Sequence, residues 1–315
     1  MKRLILVFLL TLVFLLFLVY FIDFGKIPQI LKKTNWGLIL IASLLGLPTS
    51  FLGPYRLKNL LLLIDGKGEV LYIWSLANIG ALISVVFPFS AGGFAMSYFL
   101  SKQLNTSYKR TFFVLFIDAF LGLPLTLVLG AIAFFYFFRR GLLSFQIGEV
   151  DFTIPGLIML AFVGAFITLR KKNFVKKIID LIMKAVRLLF TSKTKMVKPA
   201  AVTLVMFVVG NFQFYLLFLA FDLRPPVVDF ILAGSLLGLL GMIPLSVPAK
   251  IGQFETFGVL TLPHLLNIDK NAVFSLLLLQ RSISIIVIFI LGFVSLNILK
   301  LDWESLKSIS LKAKW

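Results

Sequence analysis

The chain contains no cysteine and only one histidine, His264. The absence of cysteine excludes disulfides, thiolate chemistry and cysteine-ligated metals, and a single histidine argues against a histidine-based metal site or a catalytic triad. The sequence also has no zinc-protease motif, no serine-hydrolase motif and no strand–helix context for a nucleotide loop. We therefore expect no metal, no cofactor and no enzymatic activity.

Charged residues are also scarce, at 14% of the chain against about 25% in a typical soluble domain. Hydrophobic residues make up 60%, and the mean hydropathy is +1.05. These values predict an all-α polytopic membrane protein that forms a single membrane domain over residues 1–315. The net charge of +18 is better explained by basic cytoplasmic loops beside anionic lipid than by nucleic acid as a partner.

Six apolar stretches have about the length that a membrane span requires: 4–22, 36–55, 111–138, 154–169, 200–221 and 273–299. The first is longer than a signal-peptide core and no small-residue cleavage site follows it, so it is expected to be a retained helix. Segment 170–199 is rich in lysine and arginine, and it predicts an amphipathic linker on the cytoplasmic face. With that linker inside, 22 basic residues are cytoplasmic and 7 are external, which predicts a cell-membrane protein with both termini in the cytoplasm.

Two further apolar stretches, 71–100 and 230–262, are each interrupted by a cluster of proline, serine and glycine. Irregular backbone at membrane depth occurs where it is buried in protein or lines a cavity, and a matched pair of interruptions is typical of a transport site. We predict two re-entrant hairpins that open to opposite sides, so that repeat 1 (36–138) and repeat 2 (200–299) form an inverted repeat. Short helix pairs that cross twice would fit the same distribution of charge.

Four ionisable residues fall at membrane depth in this arrangement: Asp118, Lys250, Glu255 and Arg281. Each costs about 2.5–3.5 kcal/mol at the bilayer centre when it is unpaired, so these groups must be paired, hydrated or bound to a ligand. They could form two structural salt bridges. We favour a polar cavity in which Lys250 and Arg281 attract a phosphate, while Asp118 and Glu255 pair with them in the empty site or carry a proton.

The second interruption also offers backbone groups to an anion. Gly252 permits close backbone approach, and a helix that begins near Gln253 would present N–H groups and the positive end of its dipole. Glu255 would then be either a partner of the helix dipole or a partner of Arg281.

The first half of the chain offers weaker candidates. Ser90 and Gly93 lie in the first interruption, which carries no charge, so an anion is expected to bind in the second half. Arg56 is expected at the inner interface, where it would grip a lipid phosphate or simply extend its side chain to the headgroups.

The second interruption and the segment after it, IPLSVPAKIGQFETFGVLTLPHLLNIDKNAVFSLLLLQRSISII, resemble the hallmark of the lysylphosphatidylglycerol synthase transmembrane-region family, also called flippase-like membrane proteins. The stretch PYRLKNLLLLIDGK is similar to the early arginine-containing segment of that family, with Arg56 as the match. The first interruption departs from the pattern, because Pro88–Gly93 stands where the family carries Pro-x-Arg-x-Gly-Glu, and Asp118 lacks the arginine of the usual acidic–Arg pair. The positions of the second half that match are Pro244, Pro248, Gly252, Glu255, Ala272 and Arg281.

This resemblance covers essentially the whole chain. It implies a lipid flippase or scramblase that moves or binds an anionic or phosphate-bearing membrane lipid without ATP and lacks the cytoplasmic aminoacyl-transferase domain of bifunctional relatives. Two other functions stay open: a membrane-embedded enzyme or accessory subunit acting on polyprenyl-phosphate lipids, and a secondary transporter of small solutes or ions. Assembly as a homo-oligomer is also left open.

Overall fold

A computed structural model describes residues 18–86, 91–142, 144–147, 150–153, 193–241 and 252–300. Within these ranges the chain is helical except for turns, short connections and one antiparallel β-hairpin, which agrees with the predicted all-α class. The hairpin lies between the predicted spans 111–138 and 154–169, and α1 lies between the predicted spans 4–22 and 36–55. The elements are α1 (Ile27–Lys33), α2 (Trp36–Thr49), α3 (Leu52–Leu61) with a 3-10 turn (Leu62–Ile64), α4 (Val70–Val86), α5 (Ala91–Gln103), α6 (Tyr108–Phe120), α7 (Leu123–Arg139), β1 (Ser144–Ile147), β2 (Val150–Thr153), α8 (Lys193–Ala220), α9 (Val227–Gly241), α10 (Gln253–Leu266) and α11 (Lys270–Leu299).

Four helical stretches in the described part of the chain are long and apolar enough to cross a membrane. They match four of the six predicted spans, and the protein is therefore a multi-pass membrane protein. The predicted span 154–169 and nearly all of 4–22 lie outside the described residues, as does most of the linker 170–199. The four stretches are Trp36–Ile64, Tyr108–Arg139, Thr194–Ala220 and Lys270–Leu299.

The first long stretch is interrupted between α2 and α3, at Ser50 and Phe51. Pro48 precedes the interruption and removes one backbone donor from the helix. Trp74 of α4 packs there, because its Nε1 donates to Ser50 Oγ at 2.9 Å and its ring stacks on Phe51. Beyond this point the helix continues to Ile64. The prediction that the span ends at residue 55 was wrong, because the charged residues that follow still have helical backbone.

Each interrupted stretch forms two short helices that pack on each other, α4 with α5 and α9 with α10. At 1.5 Å per residue these helices are about 26, 20, 22 and 21 Å long, less than the roughly 30 Å of a hydrocarbon core. The order long, short, short, long therefore occurs twice along the chain. We call residues 36–139 the first unit and residues 194–299 the second unit.

The α4–α5 pair begins and ends at one end of the structure, which we call the Leu62 end. Lys195 at the start of α8 reaches the carbonyl oxygen of Leu62 at 3.5 Å. A Cβ on Gly66, just before α4, would lie 3.2 Å from Leu104, just after α5. The start of α4, the end of α5 and the start of α8 are thus neighbours.

The α9–α10 pair begins and ends at the opposite end, which we call the Asn271 end. Asn271, at the start of α11, accepts a hydrogen bond from the Asp23 N–H at 3.0 Å. Arg140, after α7, lies 3.1 Å from Asp229 in the first turn of α9. The two helix pairs therefore open to opposite ends of the bundle, and the loops at each end are those that the charge distribution places together.

The two units contact each other through the same kind of close packing, which occurs twice. A Cβ on Gly130 of α7 would overlap the Leu239 side chain of α9. Likewise, a Cβ on Gly292 of α11 would lie 3.0 Å from the Leu82 Cβ of α4. In each case a glycine of a long span admits a leucine from the short helix of the other unit. This reciprocity is evidence in three dimensions for the repeat.

Candidate functional site

The best-formed polar cluster lies where α10 begins. The helix begins at Gln253, as predicted, directly after Gly252, whose φ of +81° is favoured by glycine. Glu255 Oε2 accepts a hydrogen bond from the Gly252 N–H at 2.9 Å, and its Oε1 lies 3.1 Å from Arg281 Nε on α11. Only 6% of the Glu255 side chain is exposed. Of the two arrangements considered from the sequence, Glu255 adopts both, because it lies in the first helical turn and also pairs with Arg281.

This arrangement changes the expected anion site at the start of the helix. The Gly252 N–H, the donor that the sequence offers first to an anion, is already bonded to Glu255. The carboxylate in the first turn also offsets the positive end of the helix dipole. Arg281 is therefore the cationic group on which a phosphate site in the described residues depends.

Arg281 is the more accessible member of its pair, with 26% of the side chain exposed. Its guanidinium carbon lies 5.9 Å from the centroid of the Phe254 ring, which is within the range of a cation–π contact. Arg281 is the twelfth residue of a thirty-residue helix, about 17 Å from the helix start. Lys250, its predicted cationic neighbour, lies outside the described residues.

A second ion pair lies in the first unit. Arg56 of α3 binds Asp118 of α6 through two contacts, Nε–Oδ1 at 2.7 Å and Nη2–Oδ2 at 3.0 Å. Its Nη1 also donates to Thr203 Oγ1 of α8 at 3.2 Å. Bidentate arginine–carboxylate contacts are among the strongest ion-pair geometries. The cluster thus connects three helices of the bundle.

The location of Arg56 at the inner interface stays a prediction, and the structure adds its neighbours within the helix bundle. Hydropathy placed it at the inner interface, but α3 and its 3-10 turn continue for eight residues beyond it, about 12 Å along the axis. With 12% of its side chain exposed, Arg56 is packed among helices. Within the described residues Asp118 accordingly pairs with Arg56, while Arg281 pairs with Glu255.

The two ion pairs do not occupy equivalent positions in the two units. Asp118 is the eleventh residue of Tyr108–Arg139, and the eleventh residue of Lys270–Leu299 is Gln280. Asp118 also precedes Gly130 by as many residues as Gln280 precedes Gly292, and these are the two glycines of the reciprocal packing. The counterpart of Asp118 in the second unit is therefore neutral.

The counterpart of Arg56 is neutral as well. Gln213 has its Nε2 3.2 Å from the position of a Cβ on Gly46, just as Arg56 reaches Thr203. These contacts are reciprocal, because each of the two side chains reaches the long span of the other unit. Gln213 and Arg56 also lie at nearly the same distance before the ends of their own spans. The position of the Arg56–Asp118 pair thus corresponds to Gln213 and Gln280 in the second unit.

A cavity of about 310 Å³ lies beside Gln280. This volume is at the lower end of the range for small-molecule pockets. Four helices of the second unit form most of its wall, and Thr126 of α7 contributes from the first unit. Phe254 lines the cavity, and its ring centroid lies 5.9 Å from the guanidinium carbon of Arg281, so the cavity adjoins the ion pair. Its lining comprises Thr126, Phe207, Gly210, Asn211, Phe214, Gly234, Ser235, Leu237, Gly238, Phe254 and Gln280.

The structure therefore brings together only some of the predicted site residues. Gly252, Gln253, Glu255 and Arg281 lie around the start of α10, while Arg56 and Asp118 form their own cluster. Gly93 lies in the first turn of α5, and Ser90, like Lys250, lies outside the described residues. Sequence reasoning missed Thr203, Gln280 and the cavity. The signal for the cavity was the glycines at one face of α8 and α9, which are common in membrane helices and carry little information alone.

A family model described as the lysylphosphatidylglycerol synthase TM region matches residues 4–292 of the chain. No curated protein and no solved structure gives a significant match. The matched range includes both ion pairs, both short helix pairs and the cavity, and the match confirms the resemblance that the sequence motifs carry.

Proposed function

We propose that the chain is a flippase or scramblase, because it is a multi-pass membrane protein that belongs to the lysylphosphatidylglycerol synthase TM region family, a family related to lipid handling. Its cargo in this proposal is an anionic or phosphate-bearing lipid, moved or bound without ATP and without making or breaking a covalent bond. The observation that carries the proposal is the Glu255–Arg281 pair, which lies at mid-helix in α11 and adjoins a cavity.

Arg281 supplies the attraction for the lipid phosphate. A guanidinium presents planar N–H donors that match phosphate oxygens. In the empty protein the Glu255 carboxylate holds the guanidinium and offsets its charge. An arriving phosphate would compete with that carboxylate, so binding the lipid would loosen the link between α10 and α11.

The two helix pairs supply the access. In this proposal they are re-entrant hairpins of an inverted repeat, with one opening to each side of the membrane. Transporters of this architecture bind substrate near the midplane at the interface of the repeats and expose it alternately to the two sides. The cavity meets this expectation in one respect, since both units contribute to its lining. From the distribution of basic residues, we place the protein in the cell membrane with both termini in the cytoplasm and the Leu62 end inside.

The proposal is tested by reconstituting the full chain into liposomes with a trace of phosphatidylglycerol that is fluorescent on an acyl chain. Dithionite added outside bleaches only the outer leaflet, so further bleaching reports translocation. Arg281→Gln is expected to slow translocation at least tenfold, and Lys250→Gln tests its predicted neighbour in the same assay. The matched control is Arg224→Gln, because Arg224 is 78% exposed and pairs only with Asp222 at the surface.

Each outcome decides something. Equal rates in the Arg281→Gln variant and the unaltered protein would overturn the site, and no bleaching beyond that of protein-free liposomes would overturn the function. Solute flux without lipid movement would favour the small-solute transporter instead. Product formed from a labelled polyprenyl-phosphate lipid would favour the embedded enzyme.

A further inference from the structure

The cavity beside the ion pair has a lining that combines neutral polar groups with aromatic rings. Its polar residues are Thr126, Asn211, Ser235 and Gln280, and none of the residues that line it is charged. The other walls are Leu237, three glycines and three phenylalanines. A lining of this kind favours a neutral ligand that can form several hydrogen bonds.

The polar groups of the lining are mostly acceptors. Thr126 Oγ1 donates to the Gly122 carbonyl at 3.1 Å, and Ser235 Oγ donates to the Ile231 carbonyl at 2.8 Å. Each hydroxyl thus donates its one proton within its own helix, so that only its oxygen lone pairs are available to a ligand. Asn211 Nδ2 likewise donates to the Phe207 carbonyl at 2.8 Å, while its Oδ1 is an acceptor. A ligand that donates hydrogen bonds fits these groups.

The first unit shows how such a position is completed by the chain itself. There the counterpart of Gln280 is Asp118, whose carboxylate is satisfied by Arg56, which in turn reaches Thr203. In the second unit Gln280 is half-buried, its side-chain amide makes no hydrogen bond to the described part of the chain, and a cavity lies beside it. A ligand with matching donor and acceptor groups would provide the partners that this side-chain amide lacks within the described residues.

Resting on the proposed lipid translocation, we infer that this cavity binds the neutral, hydroxyl-bearing part of a lipid headgroup. The hydroxyls donate to Asn211, Ser235 and Thr126, and Gln280 supplies both a donor and an acceptor. The adjoining phosphate then lies towards Arg281, because the guanidinium carbon of Arg281 is 5.9 Å from the ring of Phe254, which lines the cavity. The substrate class is a phospholipid with a polyol headgroup, such as a glycerol, an inositol or a sugar.

An ammonium headgroup also donates hydrogen bonds, but the site disfavours it. No carboxylate lines the cavity, and Glu255, in the first turn of α10, is already bonded to Gly252 and Arg281. A buried cation without a counter-ion carries a large desolvation cost. The aromatic ring that could attract it, Phe254, already faces the Arg281 guanidinium.

The headgroup can enter sideways from the lipid. Gly210 of α8 lines the cavity and is itself exposed, and its neighbours Val208 and Phe212 are exposed hydrophobic side chains. The cavity thus reaches the apolar outer surface of a membrane-spanning helix. Acyl chains could remain in the bilayer while the headgroup occupies the cavity.

The test compares two lipids with the same acyl chains and the same charge. Phosphatidylglycerol carries two hydroxyls, and phosphatidylpropanol has nearly the same shape without them. Two measurements are made on the full chain: the rise in unfolding temperature in detergent with each lipid, and the translocation rate in liposomes. We expect phosphatidylglycerol to stabilise the protein by several degrees more and to move at least fivefold faster, with phosphatidylethanolamine slower than both.

Variants locate this preference in the cavity. Asn211→Leu and Gln280→Leu are expected to remove the preference, so that the ratio of the phosphatidylglycerol rate to the phosphatidylpropanol rate falls to about one. Gly234→Leu would fill the cavity, since a Cβ there meets only Asn211 Oδ1, at 3.8 Å. Its matched control is Gly53→Leu, where a Cβ meets only the Met206 side chain, at 3.9 Å, and the residue does not line the cavity.

Equal stabilisation and equal rates for the two lipids would overturn the inference. So would a loss in Asn211→Leu that affects both lipids to the same degree, because that result indicates a structural role only, and so would a preference for phosphatidylethanolamine. Selective stabilisation by phosphatidylglycerol without translocation of any lipid would support the inference and overturn the proposed function. Translocation without selectivity would support the proposed function and overturn the inference.

Discussion

Arg281 and Glu255 form an ion pair that connects the middle of α11 to the first turn of α10, with Nε 3.1 Å from Oε1. The second carboxylate oxygen accepts from the Gly252 N–H, so a single side chain both caps one helix and holds the arginine of another. The carboxylate that holds Arg281 belongs to a different helix, and that carboxylate is itself fixed at the first turn of α10. The position of the Arg281 side chain therefore depends on where α10 begins.

Replacing Glu255 with glutamine is therefore expected to destabilise the protein. The variant removes the carboxylate that accepts from Arg281 Nε, and breaking a buried pair from one side costs on the order of 3 kcal/mol. Unfolding by denaturant in detergent micelles measures the change, with Asp222→Asn at the exposed surface as the control. The double variant Glu255→Gln/Arg281→Gln should recover part of the loss. A single variant as stable as the control would contradict a structural role for the pair.

The Arg56–Asp118 pair gives a prediction about function as well as stability. Because the second unit has glutamines at both corresponding positions, the double variant Arg56→Gln/Asp118→Gln should be more stable than either single variant. It should also translocate lipid at nearly the unaltered rate, since this pair is satisfied within the chain. The same unfolding and bleaching assays apply. A tenfold slower double variant that is fully folded would show that Arg56 contacts the lipid.

Much of this fold could be predicted from the sequence because the dominant signals are hydropathy and backbone breakers. The long spans, the interruptions and the start of α10 at Gln253 follow from apolar length and from Gly252. Lysine and arginine counts predict the side of each loop, and that orientation stays a prediction. The contact between Arg56 and Asp118 could not be predicted, because the two residues are 62 positions apart in the chain. Hydropathy alone also ends the predicted span 36–55 before Arg56.

The cavity was outside the reach of sequence reasoning for a different reason. Its lining comes from five helices and depends on small residues such as Gly210 and Gly234, which are frequent wherever membrane helices pack closely. Only the packed structure distinguishes a glycine that admits a neighbour, as Gly130 admits Leu239, from one that leaves space.

Labelling of single cysteines tests which loops share a side. The chain has no cysteine, so any introduced cysteine is unique. Gln103→Cys lies at the Leu62 end and Asp222→Cys at the Asn271 end, and both positions are exposed. In intact cells a membrane-impermeant maleimide should label Asp222→Cys within minutes and leave Gln103→Cys unlabelled until the membrane is opened. Labelling of both, or of Gln103→Cys alone, would contradict the proposed orientation.

The reciprocal glycine contacts predict unequal costs for two matched substitutions. Gly292→Ala places a methyl group 3.0 Å from Leu82 Cβ, which is fixed to the backbone of α4, so α4 and α11 must separate. Gly130→Ala instead meets Leu239 at Cδ1 and Cγ, at the far end of a side chain that can rotate. Overpacking typically costs about 1–3 kcal/mol, and we expect Gly292→Ala near the upper value and Gly130→Ala near the lower.

Denaturant unfolding measures both variants, with Gly53→Ala as the control because its Cβ would make only an ordinary contact. The second substitution Leu239→Ala should rescue Gly130→Ala more fully than Leu82→Ala rescues Gly292→Ala, since alanine at position 82 retains the Cβ that causes the contact. Rescue of both to the same degree would show that the two helix pairs do not differ as the packing indicates.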